Sequence, residues 1–300
     1  MAILYLLCAS LLSVWCVARF IVPVEPLVEY TPPPPPPAKV ELLFVGDVMA
    51  HSPQVAVAKR DNGYDFTSCF KYVKPIFDSV DCVVANLETT LAEAPPYSGY
   101  PCFRAPAALA TALADAGVDI AVTANNHSLD NRREGVESTL DILRKSGISA
   151  IGTTEDNVLR FSIEGVNFAI MAYTYGTNGI PVPEGVSVHK IDTVAMSRDL
   201  ARAADADCRI AFLHWGTEYS LEKTDEQDRW VNIFYEGGAD LILCTHPHLI
   251  EPVEMIEGEK GQMLVYYSLG NFVNWTSGTG SGVANRMVGG MAKVTLTREA

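Results

Sequence analysis

Residues 240–252 read DLILCTHPHLIEP. Leu241, Ile242 and Leu243 lead into Cys244 and Thr245, after which His246 and His248 stand on either side of Pro247. The run is short, rich in Leu and Ile, and follows Gly237 and Gly238, which predicts a buried strand. In extended backbone, residues i and i+2 point to the same side. Pro247 fixes its own φ and biases His246 towards extension. Both imidazoles are therefore expected to address one small volume. A lone histidine closing a strand is ordinarily a satisfied structural residue, but two held this stiffly point to metal ligation.

The same pattern recurs along the chain. KVELLFVGD (39–47), DCVVANLE (81–88), GVDIAVTANNH (117–127), CRIAFLHWG (208–216) and GADLILCTHPH (238–248) are each an apolar strand. Each ends in a residue that can bind metal or move a proton: Asp47, Glu88, Asn126 with His127, His214, and His246 with His248. Helix-like segments lie between them: APAALATALADAG (105–117), NRREGVESTLDILRKSGI (131–148), DTVAMSRDLARAADAD (192–207) and DEQDRWVNIFYEGG (225–238). Alternation of this kind predicts a largely parallel α/β arrangement, in which ligands gather beyond the carboxyl ends of the strands. LRFSIEGVNFAIMAYTY (159–175) reads as two antiparallel strands joined at Glu164-Gly165. With PVEMIEGEKGQMLVYYSLGNF (252–272) it predicts a second sheet packed on the first. Carboxylate, amide oxygen and imidazole together suit Zn, Mn or Fe, one or two ions, in a hydrolytic centre.

A net charge of −14 over 300 residues argues against nucleic acid as a partner. Residues 2–18, AILYLLCASLLSVWCVA, carry no charge, and apolar character resumes after Arg19 as far as Val24. That length suits a membrane anchor or export signal over residues 1–24. EYTPPPPPPAK follows, and its six prolines predict a stiff polyproline II spacer within a linker over residues 25–39. The folded domain is expected over 40–300, outside the membrane that holds the anchor, or exported after cleavage of the signal. The sequence stops inside an apparent strand, MAKVTLTREA, so the natural chain is free to continue. Cys82, Cys208 and Cys244 are expected as buried thiols, while Cys69 and Cys102 have the polar context of a candidate pair.

The motifs FVGDVMAHSPQ (44–54), ANLETTLA (85–92), TANNHSLDNRREGVESTLDIL (123–143), LHWGTEYS (213–220), CTHPHLIEPVE (244–254) and YSLGNFV (267–273) carry a resemblance. Their order and content resemble the calcineurin-like metallophosphoesterase superfamily, in its bacterial capsule synthesis CapA branch, named for poly-γ-glutamate biosynthesis. The resemblance implies a metallophosphatase-like two-sheet β-sandwich flanked by helices. It implies that Asp47 and His248 hold one metal, that Asn126, His214 and His246 hold a second, and that Glu88 bridges both. His127 matches the superfamily's general acid. The third position of the opening Asp-x-His motif is Met49, a poor ligand for a hard centre. His51 is the alternative donor, about 6–7 Å further along a strand. Arg104 is a candidate anion-binding residue, with an ordinary surface arginine as the alternative. Glu218, Tyr219 and Asn271 either line the pocket or serve turns. Two functions are implied: a metal-dependent hydrolase of an envelope phosphoester, or a non-catalytic accessory subunit working with membrane subunits of a capsule synthase.

Overall fold

The structure, a computed structural model, describes residues 36–276 and 282–299. The expected N-terminal anchor and most of the proline-rich linker lie outside the described residues. Among the described residues no helix is long and apolar enough to cross a membrane. Residues 37–299 make one compact unit.

In chain order the first elements are β1 (Ala38–Val48), β2 (Cys82–Leu87), α1 (Ala108–Ala116), β3 (Ile120–Val122), α2 (Arg132–Lys145) and β4 (Ser149–Ile151). Next come β5 (Leu159–Ile163), β6 (Val166–Thr174), α3 (Thr193–Arg202), β7 (Cys208–His214), α4 (Asp225–Glu236) and β8 (Leu241–Thr245). The last are β9 (Val253–Gly258), β10 (Gly261–Tyr266), β11 (Asn271–Val273) and β12 (Met291–Arg298). One sheet has the order β11-β1-β2-β3-β4, with β12 running antiparallel along residues 38–45 of β1. The other has the order β9-β10-β8-β7-β6-β5, parallel at its centre and closed at each edge by an antiparallel hairpin. Glu164 and Gly165, at φ 50° and 71°, make the turn of the first hairpin, as a tight two-residue loop requires.

The five apolar strands therefore do not lie in one sheet. The hairpin strand β6 pairs parallel with β7, and β7 with β8, which draws Cys208–His214 and Leu241–Thr245 into the second sheet. Their ends still meet those of β1–β3 because the two sheets share a core. Val40, Leu42, Phe44, Val84 and Val122 of the first sheet pack there with Phe168, Ile170, Ile210, Phe212 and Leu243 of the second. The outer face of the first sheet is covered by α1 and α2, and that of the second by α3 and α4. The result is a mixed α/β fold with a helix layer on either side.

Strand parity then carries side chains to the site. Ile210 and Phe212 face the shared core, so His214 does too; Leu241 and Leu243 take Thr245 with them, and Val84 takes Asn86. β1 needs a correction to do the same. Leu43 and Val45 face the helices, and plain alternation would send Asp47 after them. The register against β2 slips between Val45 and Asp47, a bulge at Gly46 that turns Asp47 inward while Val48 returns to the helix side. Only glycine fits there, since a Cβ on Gly46 would stand 1.9 Å from the carbonyl oxygen of Gly270.

Candidate metal centre

Where the shared core ends, the strand termini form a buried polar layer. Asp47, Asn86, Glu88 and His214 are fully buried, and Asn126, His127, His246 and His248 nearly so. Two trios of ligand atoms gather here, each with its atoms within 4.8 Å of one another: Glu88 with His214 and His246, and Asp47 with Glu88 and His248. Glu88 belongs to both.

The electrostatics fit a cation. Neither oxygen of Glu88 receives a hydrogen bond, and His246 Nδ1 has no partner either. Burial first, then the Asp47 carboxylate, push the Glu88 carboxyl well above its usual range. His214 Nε2 lies 3.6 Å from Glu88 Oε1 and 2.9 Å from Asn126 Oδ1. The orientation of that amide is set by Asn126 Nδ2, which donates to Asn178 Oδ1. His214 Nδ1 faces both the Thr245 hydroxyl at 3.0 Å and the Asn86 amide Nδ2, a donor, at 3.3 Å, and these two partners fix the ring's orientation. Both Glu88 oxygens and His246 Nδ1 are left buried without a hydrogen-bond partner. Such an arrangement costs several kcal/mol unless a cation fills it. The donor set fits a divalent metal ion.

His214 is held well below the usual histidine range, by burial first and by the charge of His246 second. His246 is lowered to about 4, by burial and by His248. For His248 burial works downward, but the hydrogen bond from Nδ1 to Asp47 Oδ2, at 3.0 Å, outweighs it and the net direction is up. For Asp47 burial works upward, and His248 together with Asn86, which donates to Oδ1 at 2.7 Å, pulls the carboxyl well below its usual range.

The His-Pro-His segment departs from the extended conformation expected of it. The strand ends at Thr245, and His246 and His248 have φ of 107° and 57°. Positive φ is unusual for histidine and costs of order 1–3 kcal/mol per residue. The turn separates the rings, 6.1 Å between centroids, so that each joins a different trio.

His127 sits beside the cluster. Its Nδ1 is 2.8 Å from Asp130 Oδ2, which also accepts the backbone N–H of Phe103 at 2.6 Å. Since a carboxylate only accepts, Nδ1 carries the proton and Nε2 is left for exchange. Asp130 was not anticipated, although its place three residues after His127 was visible. Asn86 closes its strand beside Glu88, as the sequence shows, but had no assigned role, and Tyr175 was missed. The Tyr175 ring packs 4.6 Å from His246, at the end of a strand whose sequence carries no chemical signal.

His51 does not join either trio. It is the N-cap of the helix Ser52–Ala58, and its ring packs 4.9 Å from Phe103, which also contacts His127. Helix capping ends the strand before residue 51 and turns the ring aside. Arg104 likewise has another task. Its Nη1 donates to the Ala94 and Pro96 carbonyls at 2.8 and 2.7 Å, and Nη2 reaches Glu134 at 3.3 Å, which clamps the preceding loop. Cys69 and Cys102 are unpaired, as are the buried Cys82, Cys208 and Cys244.

The pattern of the family described as bacterial capsule synthesis protein PGA_cap covers residues 41–276, and the chain belongs to that family. It is 28% identical over 248 residues to the PGA biosynthesis protein CapA of Bacillus subtilis (strain 168), covering 78% of this chain and 63% of that protein. It is 25% identical over 258 residues to the capsule biosynthesis protein CapA of Bacillus anthracis, covering 79% and 61%. The chain thus spans less than two thirds of either relative. Among solved structures, the NAD nucleotidase of Haemophilus influenzae superposes with a TM-score of 0.50 at 13% identity, over 77% of this chain and 50% of that one. At that identity the likeness concerns the fold alone.

Proposed function

We propose that this domain is a metal-dependent hydrolase acting on a phosphoester of the bacterial envelope, in the service of capsule or poly-γ-glutamate synthesis. The observation that carries the reading is the pair of donor trios sharing the orphaned Glu88 carboxylate. Glu88, His214 and His246, with Asn126 beside them, would hold one ion, and Asp47, Glu88 and His248 the other. Divalent ions there supply Lewis acidity towards a phosphoryl oxygen and a water acidic enough to attack near neutral pH. His127, oriented by Asp130 through Nδ1, would take up a second proton at Nε2 from solvent and pass it to the leaving oxygen. Residues 1–24 are assigned as the membrane anchor on their apolar sequence, uncharged over residues 2–18.

Metal analysis coupled to hydrolysis of phosphomono- and phosphodiesters tests this. Bound Mn, Fe or Zn with turnover is expected, and protein that takes up no transition metal would sink the reading. One observation favours a second function, an accessory subunit beside the membrane components of a capsule synthase. Met49 supplies no donor at the Asp47 end, where Asp47 and His248 already satisfy each other. Metal-loaded protein that hydrolyses no ester, yet co-purifies with the synthase subunits, would select it.

A further inference from the structure

With Arg104 committed to backbone carbonyls, the site lacks the cation expected to hold substrate. We propose that Arg286 supplies it, as an oxyanion subsite at the Asp47–His248 end that receives a phosphate or carboxylate group of the substrate. The assignment rests on the hydrolase reading above.

Arg286 closes a short helical turn, Val283–Arg286, and lines a pocket of about 270 Å³ with Asn271, Phe272, Asn274 and Trp275. Its guanidinium carbon lies 5.1 Å over the Tyr219 ring, and that ring is 5.9 Å from the His248 ring, so one aromatic side chain separates the arginine from the centre. The backbone fixes this placement. Asn271 Nδ2 donates both to the His248 carbonyl at 3.2 Å and to the Arg286 carbonyl at 3.0 Å. Gly289 permits the approach, because a Cβ there would stand 1.8 Å from the Asn271 carbonyl oxygen. A side chain contributed from far along the sequence is thereby tied to the ligand-bearing turn.

The charge state points to a ligand. In a chain of net charge −14, the Arg286 side chain is partnered by Tyr219 and, among the described residues, by no carboxylate, and its Nε is buried without a hydrogen bond. Asn271 Oδ1, also buried, lacks a partner too. A guanidinium whose side-chain partner is one tyrosine, and which faces no carboxylate, retains N–H donors for bidentate binding of phosphate or carboxylate. Placed beside a hydrolytic centre, it also stabilises charge developing on a transferred phosphoryl group.

Calorimetric titration of metal-loaded full-length protein with inorganic phosphate, and separately with glutarate, reads the subsite without turnover. Arg286→Gln is expected to weaken phosphate binding by at least about tenfold. It should also raise KM for a phosphomonoester while metal content stays unchanged. Arg286→Lys is expected to recover part of the affinity, since it keeps the charge and loses the fork. Arg104→Gln should leave anion affinity unaltered. Tighter binding of glutarate than of phosphate would identify a carboxylate as the group held. Wild-type protein that binds neither anion, or Arg286→Gln protein that binds both as wild type does, overturns the proposal. Phosphate binding through Arg286 without hydrolysis of any ester would leave the subsite standing and remove the hydrolase.

Discussion

The two ends of the candidate centre share Glu88 and use the same kinds of donor, yet they rest in different states. At the end formed by the second sheet, His214 and His246 are kept neutral by burial, His246 Nδ1 has no partner, and Asn126 Oδ1 faces His214 Nε2. At the other end Asp47 and His248 form a hydrogen-bonded pair at 3.0 Å. An ion entering the first end meets the unpartnered Glu88 carboxylate and His246 Nδ1, and displaces only a neutral contact between His214 and Asn126. An ion entering the second must break a buried pair whose members compensate each other's loss of water. Matched residue lists do not make matched sites. Two equivalents of metal with unequal affinity are expected, the tighter at His214 and His246.

The largest effect should come from breaking the tighter end. His246→Ala is expected to lower metal affinity there by at least about 100-fold, beyond the range typical of outer-shell partners, and to abolish turnover. His248→Ala should remove only the weaker equivalent. Competition titrations against a chelator separate the two, and identical losses from both variants would erase the asymmetry. Next in size, Asp130→Asn should cost about 10²–10⁴-fold in hydrolysis with metal content intact, because it removes the carboxylate charge behind His127 and puts an amide donor in place of one acceptor oxygen. Activity equal to wild type would remove His127 from the proton path.

Much of this was legible in the sequence, and the reason is parity. An apolar run with a polar residue at its carboxyl end announces both a strand and the end at which function collects, so Asp47, Glu88, His214, His246 and His248 could be named together. The division of the strands between two sheets was not legible, since it depends on which neighbour β7 pairs with. Nor was the bulge at Gly46, which exists because Gly270 approaches from far along the chain. The turn at His246 and His248 contradicts local preference and is held by tertiary contacts such as that from Asn271 to the His248 carbonyl. Arg104 looked available because its partners are backbone carbonyls, which a sequence shows at every residue and so at none.

Met49 offers a smaller and sharper test of the asymmetry. It is 4% exposed but belongs to none of the three apolar cores, while its neighbour Val48 packs on the helix side. Met49→His places an imidazole at the third position of the opening motif. It is expected to tighten the weaker metal equivalent by roughly tenfold, within the range of a single added interaction of about 1.4 kcal/mol, and to leave the tighter one alone. A gain at both ends would mean that the two share more than Glu88.

The smallest effect concerns a second buried glutamate, which separates burial from metal chemistry. Glu251 resembles Glu88 in being buried with one oxygen lacking a partner, but its other oxygen accepts from Gln227 Nε2 at 2.8 Å and it belongs to neither trio. Burial, opposed by the Gln227 hydrogen bond and assisted by Glu222, pushes its carboxyl from 4.5 up to about 7. Between those two values the folded protein holds a proton that the unfolded chain has lost, so stability falls as pH rises through the window. Glu251→Gln should flatten that slope and raise Tm by about 5 °C above neutrality, with metal content unchanged. Thermal melts across pH, with and without metal, read the difference. A slope that persists in the variant would mean that the titrating carboxyl is elsewhere. A Tm–pH slope of the wild type that vanishes on adding metal would assign it to Glu88, the only one of the two glutamates with histidines to share an ion.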